Sequence, residues 1–350
     1  MPDSLPTAAE LRAAFDQHDA PTVGLEEELM LLDAETLDLA PYASEVIGAL
    51  GGDARFKPEM PAAQLEIVTA PHATVADAAA ELADARRDLA AAAAGRFRVA
   101  GAGAHPSAPG AGPLNPGPRY EAIGTEYAAV ANRQLVFGLH VHVAIAGAGR
   151  ALAVYNALRS RLPDLAALAA NAPFYEGSDS GLASVRSRIS GLLPRQGVPP
   201  PLESFEAYAE ALRWCGFDDP RQWWWELRPH PTYGTIELRV PDTQATVADT
   251  AAVADVAYRL ILDLAARHDA GEPLPVAESW RIDQNRWSAC RHGAHGVMTD
   301  PLTGAREPTR ERLARLGAPA LDGAAHQRAV AAEAGLRGLV AWLADAFVTG

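Results

Sequence analysis

The chain has 350 residues, 49% of them hydrophobic and 21% charged, a balance that excludes a disordered chain and allows a sizeable core. With 44 acidic against 30 basic residues, its formal charge of −14 argues against nucleic acid as a partner, which would need a basic surface. No stretch of about 18 residues stays apolar without a charge, so no membrane span is expected.

Cys215 and Cys290 stand outside any CxxC, which leaves no disulfide framework and no zinc ribbon. The N-terminus carries Asp3 and Glu10 where a signal peptide would have a basic region and an apolar run. A cytoplasmic location is the expectation.

Thr7 to Glu10 fits a capping box that opens a helix near residues 8–18. Residues 22–32 read as a strand and 63–69, "AQLEIVT", as another. Residues 73–95 are helical, with Thr74 as cap and Gly95 as stop. A strand then runs into a Gly/Pro-rich loop over 96–117, and a helix near 118–133 precedes a strand at 135–145. Residues 148–171 read as helix broken at Pro163, 172–202 as loop, and 203–214 as helix. "QWWWELRP" and "YGTIELRVPD" look like two strands joined by the turn "HPTYG". Helices follow at 246–269 and 279–291, with one or two more between 308 and 348. No repeat or linker divides the chain, so residues 1–350 read as one domain. Strands and helices do not alternate regularly, which favours an α+β fold: a mostly antiparallel sheet flanked by helices.

Side chains two apart on a strand share a face. In "GLEEELMLLD", Glu26 and Glu28 point one way and Glu27 the other. Gln64 pairs in this way with Glu66, His140 with His142, and Glu237 with Arg239, each against an apolar reverse side. Alone, Glu-x-Glu usually marks a solvated face, His-x-His packing, and "ELR" a cross-strand ion pair. Jointly, on one sheet, they would line a pocket whose carboxylates repel unless a cation offsets them. An oxygen-rich set with a supporting imidazole suits Mg²⁺ or Mn²⁺ better than zinc.

"GAGAHPSAPGAG" is no dinucleotide turn, because His105-Pro106 and a proline-rich loop follow it in place of a helix N-terminus. A P-loop and a G-x-S-x-G motif are both absent from the sequence.

Taken in order, "VGLEEELMLLD", "PEMPAAQLEIVTAP", "FGLHVHVAI", "RPHPTYGTIELRVPDTQATVADT" and "NRWSACRHG" resemble the glutamate–cysteine ligase type 2 family, in its carboxylate–amine ligase branch. The wider resemblance is to the glutamine synthetase superfamily. The motifs span residues 22–293 of a catalytic domain, with C-terminal helices over 304–350.

The resemblance implies a curved sheet forming a funnel. ATP enters at one end and the carboxylate substrate at the other, with Mg²⁺ or Mn²⁺ between. Carried over by residue, Glu28, Glu59 and Glu66 would share one metal. Glu59 is placed by its distance from Glu66, since "KPEMP" does not read as a strand. Glu26, His140 and Glu237 would hold another, nearer the nucleotide. His142 would lie toward the phosphates and Arg239 toward the transferred phosphoryl group. Apart from the resemblance, Arg186 and Arg188, two apart in the loop-rich "ASVRSRIS", would either close over bound substrate or form a solvated basic turn. Arg286, in the NRW motif, would clamp a carboxylate or phosphate; Arg228 fits a motif too, and Arg291 is off the helical face of Arg286. Trp223–Trp225 read as core and hairpin packing, and Cys290 as a small buried residue.

The implied reaction is ATP-dependent amide formation. A carboxylate attacks the γ-phosphate to give an acyl phosphate, and an amine displaces phosphate. Glutamate is the expected carboxylate, giving a γ-glutamyl-type bond. No motif reads a thiol, so the amine, and any weak glutamate–cysteine ligase activity, stay open. A phosphagen-type kinase, a metal-dependent amide hydrolase and a non-catalytic binding protein are the alternatives. "GLVAWLADAFV" at 338–348 offers either a homodimer face or a lid on the core.

Overall fold

Alternating burial along the first strand organises the molecule. The structure is a computed structural model that describes residues 5–217 and 219–350; the N-terminal reading at Asp3 lies outside them. The strands are β1 (Thr22–Asp33), β2 (Phe56–Pro58), β3 (Gln64–Val68), β4 (Phe97–Ala100), β5 (Leu139–Ala144), the hairpin β6 (Phe174–Tyr175) and β7 (Ser178–Asp179), then β8 (Leu227–His230), β9 (Thr235–Leu238), and the hairpin β10 (Val297–Thr299) and β11 (Arg306–Pro308). The main sheet runs β2-β3-β1-β5-β9-β8, and β4 pairs with the C-terminal part of β1. Every pairing in it is antiparallel, in keeping with the expected fold class.

One face of the sheet is apolar. Leu25, Leu29, Leu31, Ile67, Val141, Val143, Ile236 and Leu238 are buried in one core with the helices Val75–Ala93 and Val247–Asp269. Thr74 and Thr246 cap these helices by accepting from the Asp77 and Asp249 amides, as Ser/Thr N-caps do. Full burial of each Leu contributes roughly 1.5–3 kcal/mol.

Several boundaries differ from the sequence expectation, for local reasons. "KPEMP" does contribute a strand: β2 closes the sheet edge, where Pro58 forfeits no ladder bond from a central strand. The helical break falls at the 3₁₀ turn Arg159–Arg161, and Pro163 sits in the first turn of Leu162–Leu168, where its missing N–H is harmless. The expected loop 172–202 contains the β6–β7 hairpin and the short helix Arg186–Ser190. The first helix is α-helical only over Ala8–Ala13 and tightens to 3₁₀ over Ala14–Gln17. The helix Ala43–Ala49 and the hairpin β10–β11 carried no clear signal.

The C-terminal segment Gly323–Thr349 kinks at Gly335 (φ 70°). Its Leu339, Val340, Leu343 and Phe347 are buried, the first three against Met30, Leu32 and Phe137, so residues 338–348 close the core. Among the described residues no helix is long and apolar enough to cross a membrane. Gly101 explains the glycine-rich loop after β4, since a Cβ there would lie 2.4 Å from the Gln244 carbonyl oxygen.

Candidate active site

Strand register collects the ionisable groups on the sheet's other face. Glu28 on β1 stands opposite Glu66 on β3, which stands opposite Lys57 on β2. Glu26 faces His140 across β1 and β5. One step further along, Gly24, His142, Glu237 and Arg228 form a row over β1, β5, β9 and β8. Antiparallel strands place such neighbours about 4.5–5.5 Å apart at Cβ, within reach of side-chain contact.

His140 Nδ1 lies 3.0 Å from Glu26 Oε2 and 3.9 Å from Glu66 Oε1, and its Nε2 is 3.7 Å from Glu28 Oε1. His142 Nε2 is 3.4 Å from Glu26 Oε1 and 3.9 Å from Glu237 Oε1. Two groups emerge whose ligand atoms lie within 4.8 Å of one another: Glu26 with Glu66 and His140, and Glu26 with His142 and Glu237. Glu26 belongs to both.

The donor set fits a divalent cation. His140 Nε2 and His142 Nε2 are buried without a hydrogen-bond partner among the described residues. Thr235 Oγ1 lies 2.9 Å from His142 Nδ1, which fixes the ring with Nε2 turned to the carboxylates. Metal-bound imidazoles are oriented in this way through their second nitrogen.

The electrostatics express the same crowding. Burial pushes Glu28 up to about 7, with Glu59 adding to the rise and Arg186 and Arg239 opposing it. Glu66 rises well above the usual carboxylate range through burial and the charges of Glu26, Glu59 and Glu28. Glu59 is raised by burial. Burial opposes ionisation of Glu26 and Glu237 too, but His142 and His140 hold the first well below its ordinary value, and Arg228 and Arg239 the second. Burial and Arg239 press His140 down to about 4, whereas Glu26 and Glu237 overcome burial to raise His142. Each raised carboxylate is one that a bound cation would ionise.

Two cavities flank the cluster along β1. One, of about 280 Å³, is lined by Thr22, Gly24, Glu26, His142, Tyr233 and apolar neighbours including Leu25 and Val68. The other, of about 120 Å³, meets Glu28, Glu59, Gln64, Arg186, Glu226 and Arg239. Arg239 Nη1 donates to Glu237 Oε1 at 2.6 Å, and Arg228 grips the same carboxylate through Nε and Nη2. Arg186 donates to the Arg239 and Val240 carbonyls at 3.1 and 3.3 Å.

Most of the residues singled out from the sequence meet here: Glu26, Glu28, Glu59, Glu66, His140, His142, Glu237, Arg239 and Arg186 lie in the cluster or line the small cavity. Glu27 is turned away, as its odd place on the strand requires, and is bound by Arg86 behind the sheet. Two others stand apart. Arg188 is exposed, with its guanidinium 5.9 Å from the centre of the Trp287 ring. Arg286 is buried and binds Glu226, with Nε 2.7 Å from Oε2 and Nη2 on Oε1. Trp223 packs in the core as expected, but Trp224 lines the small cavity. Glu226 carried no signal in the sequence, because its partner lies 60 residues away.

Comparisons with known proteins bear on the family and the fold. The family model "Glutamate-cysteine ligase family 2" matches residues 22–342, beyond the last sequence motif. A Rubrobacter xylanophilus protein provisionally named glutamate–cysteine ligase 2-3 is 36% identical, covering 93% of this chain and 96% of its own. A Frankia casuarinae protein provisionally named glutamate–cysteine ligase 2-1 is 32% identical over 87% of this chain and 83% of its own. Among solved structures, the glutamate–cysteine ligase of Francisella tularensis in complex with AMP superposes with a TM-score of 0.69 at 11% identity, covering 95% of this chain and 89% of that one. A bifunctional glutathione synthetase from Pasteurella multocida gives 0.64 at 16% identity, with 97% and 53% covered. At these identities the solved structures speak for the fold. The sequence matches go further: the chain belongs to glutamate–cysteine ligase family 2.

Proposed function

We propose that the chain is an ATP-dependent carboxylate–amine ligase working through an acyl phosphate, with glutamate as the carboxylate substrate. The observation that carries this reading is the position of the Glu26-centred cluster between two cavities of different character. The more apolar cavity beside Tyr233 suits a nucleoside, whose phosphates would extend toward Glu26 and His142. The small charged cavity suits the amino-acid substrate. The family's relatives, named for glutamate–cysteine ligase, and the AMP-bound Francisella neighbour support the same reading.

Glu26, Glu66 and His140, and Glu26, His142 and Glu237, are the groups that would hold Mg²⁺ or Mn²⁺. When bound, such ions neutralise phosphate charge and favour in-line transfer. The chain's own contribution is orientation. Arg239, partly buried and kept cationic by Glu237 and Glu28, offers a fork of donors toward the phosphoryl group. Arg186, anchored on the carbonyls of Arg239 and Val240, borders the same cavity.

Phosphate release from ATP and Mg²⁺ with glutamate and a panel of amines tests the reading. Release that needs both a carboxylate and an amine supports it. ADP with a stable phosphorylated product would favour a kinase, and amide cleavage without ATP a hydrolase.

A further inference from the structure

We infer that Glu226 recognises the α-ammonium group of the carboxylate substrate, and that Arg286 is the positioning residue that fixes the Glu226 carboxylate. The inference deepens the ligase reading and rests on it.

Glu226 lines the 120 Å³ cavity together with Glu28, Glu59, Gln64, Arg186 and Arg239. It is held on every side. Its amide donates to the Gly197 carbonyl at 3.1 Å, its carbonyl accepts from the Arg239 amide at 2.8 Å, and Arg286, 3% exposed, grips both carboxylate oxygens. A two-point grip uses one lone pair on each oxygen and leaves another free to accept. Arg286 therefore presents a rigid acceptor to the cavity.

Two further groups in the same cavity lack partners among the described residues. Gln64 Oε1 is a buried acceptor on a side chain only 2% exposed, and Arg186 Nε is a buried donor. Buried polar atoms without partners are rare in folded chains, and both of these line the cavity that a ligand would fill. An ammonium with three N–H donors would serve Glu226, and a carboxylate would serve Arg186. A small zwitterion carries both groups. Its second carboxylate would then face the Glu28 side of the cavity.

The test compares glutamate with glutarate, which differs only in lacking the α-amino group. Binding is followed by calorimetry in the presence of Mn²⁺, alongside turnover with ATP. Wild-type protein is expected to prefer glutamate by roughly 100-fold or more, as sites that hydrogen-bond a substrate N–H do. Glu226→Gln should cut that preference at least about tenfold while Mn²⁺ affinity and the circular dichroism spectrum stay unchanged. Arg286→Lys should lower the same ratio, since an ammonium cannot hold both oxygens. Glu226→Asp, which keeps the charge but withdraws it, is the second variant should the first not fold. Variants that bind both acids like wild type, or that weaken both equally, would overturn the assignment and leave the pair a structural one. An altered amine KM alone would also overturn it. Loss of the preference in a protein that releases no phosphate with any carboxylate would instead sink the ligase reading while Glu226 stands.

Discussion

Arg86 and Glu27 meet behind the sheet, with Arg86 Nη2 2.7 Å from Glu27 Oε1 and both side chains sealed from solvent. Thr250 Oγ1 donates to the same carboxylate at 2.6 Å, and Arg86 also donates to the Gln244 and Ala245 carbonyls. The middle glutamate of the run is thus a tie between β1 and two helices, and its neighbours serve the opposite face. Breaking a buried pair from one side costs about 3–5 kcal/mol. Arg86→Met should lower unfolding stability by that order in a urea titration, and Glu27→Gln by a comparable amount because it leaves the Arg86 charge buried without its counter-ion. Glu28→Gln, by contrast, should leave stability equal or higher, as it removes a carboxylate that burial disfavours.

Arg186 and Arg188 separate cleanly. Two residues apart on a helix they point about 200° from each other, so one borders the cavity and the other lies exposed beside Trp287. Arg186→Ala should lower kcat/KM at least about tenfold, in the range of lost charge-stabilising donors. Arg188→Ala should stay near the wild-type rate. Parallel initial-rate measurements on the two variants decide the matter.

Gly138 is a third probe. A Cβ at this position would lie 2.1 Å from Arg186 Nη2, the movable end of a long side chain. Gly138→Ala should therefore displace that guanidinium at a stability cost of only about 1 kcal/mol. Turnover should fall several-fold while the melting curve hardly moves. A variant with full activity would show that the placement of Arg186 is unimportant.

His105 sets a pH dependence. Burial lowers its pKa from 6.5. Its Nδ1 accepts from the Ser107 and Ala108 amides at 3.1 and 2.9 Å, while Nε2 donates to the Leu37 carbonyl at 2.9 Å. Protonation would replace that acceptor by a donor. The unfolded chain binds the proton more readily, so stability is full above pH ~6.5 and is lost as pH falls through the lowered value. His105→Asn, whose side-chain oxygen can still accept from the two amides, should flatten the slope of stability against pH between about 5 and 7. An unchanged slope would place the titrating group elsewhere.

The sheet and its two faces were legible because period-two alternation is a direct consequence of strand geometry, and it is strong in "GLHVHVAI" and "TIELRV". Glu59 was harder, since it follows directly on a three-residue edge strand that ends in a proline. The division of ligands was not legible: period fixes a face but not which rings converge, and His142 joins Glu26 and Glu237 in one of the ligand groups. Arg286 fits a motif, yet nothing local reveals Glu226 as its partner, because a contact between β8's approach and a distant helix leaves no periodic trace.

Manganese titration followed by calorimetry or by the paramagnetic resonance of the free ion tests the shared cation site most directly. Wild-type protein should bind Mn²⁺. Glu26→Gln, which removes the carboxylate common to both ligand groups, should weaken binding at least about tenfold, with Glu27→Gln as the control that does not. Equal Mn²⁺ affinity in wild type and Glu26→Gln would contradict a metal-bearing site on this face of the sheet.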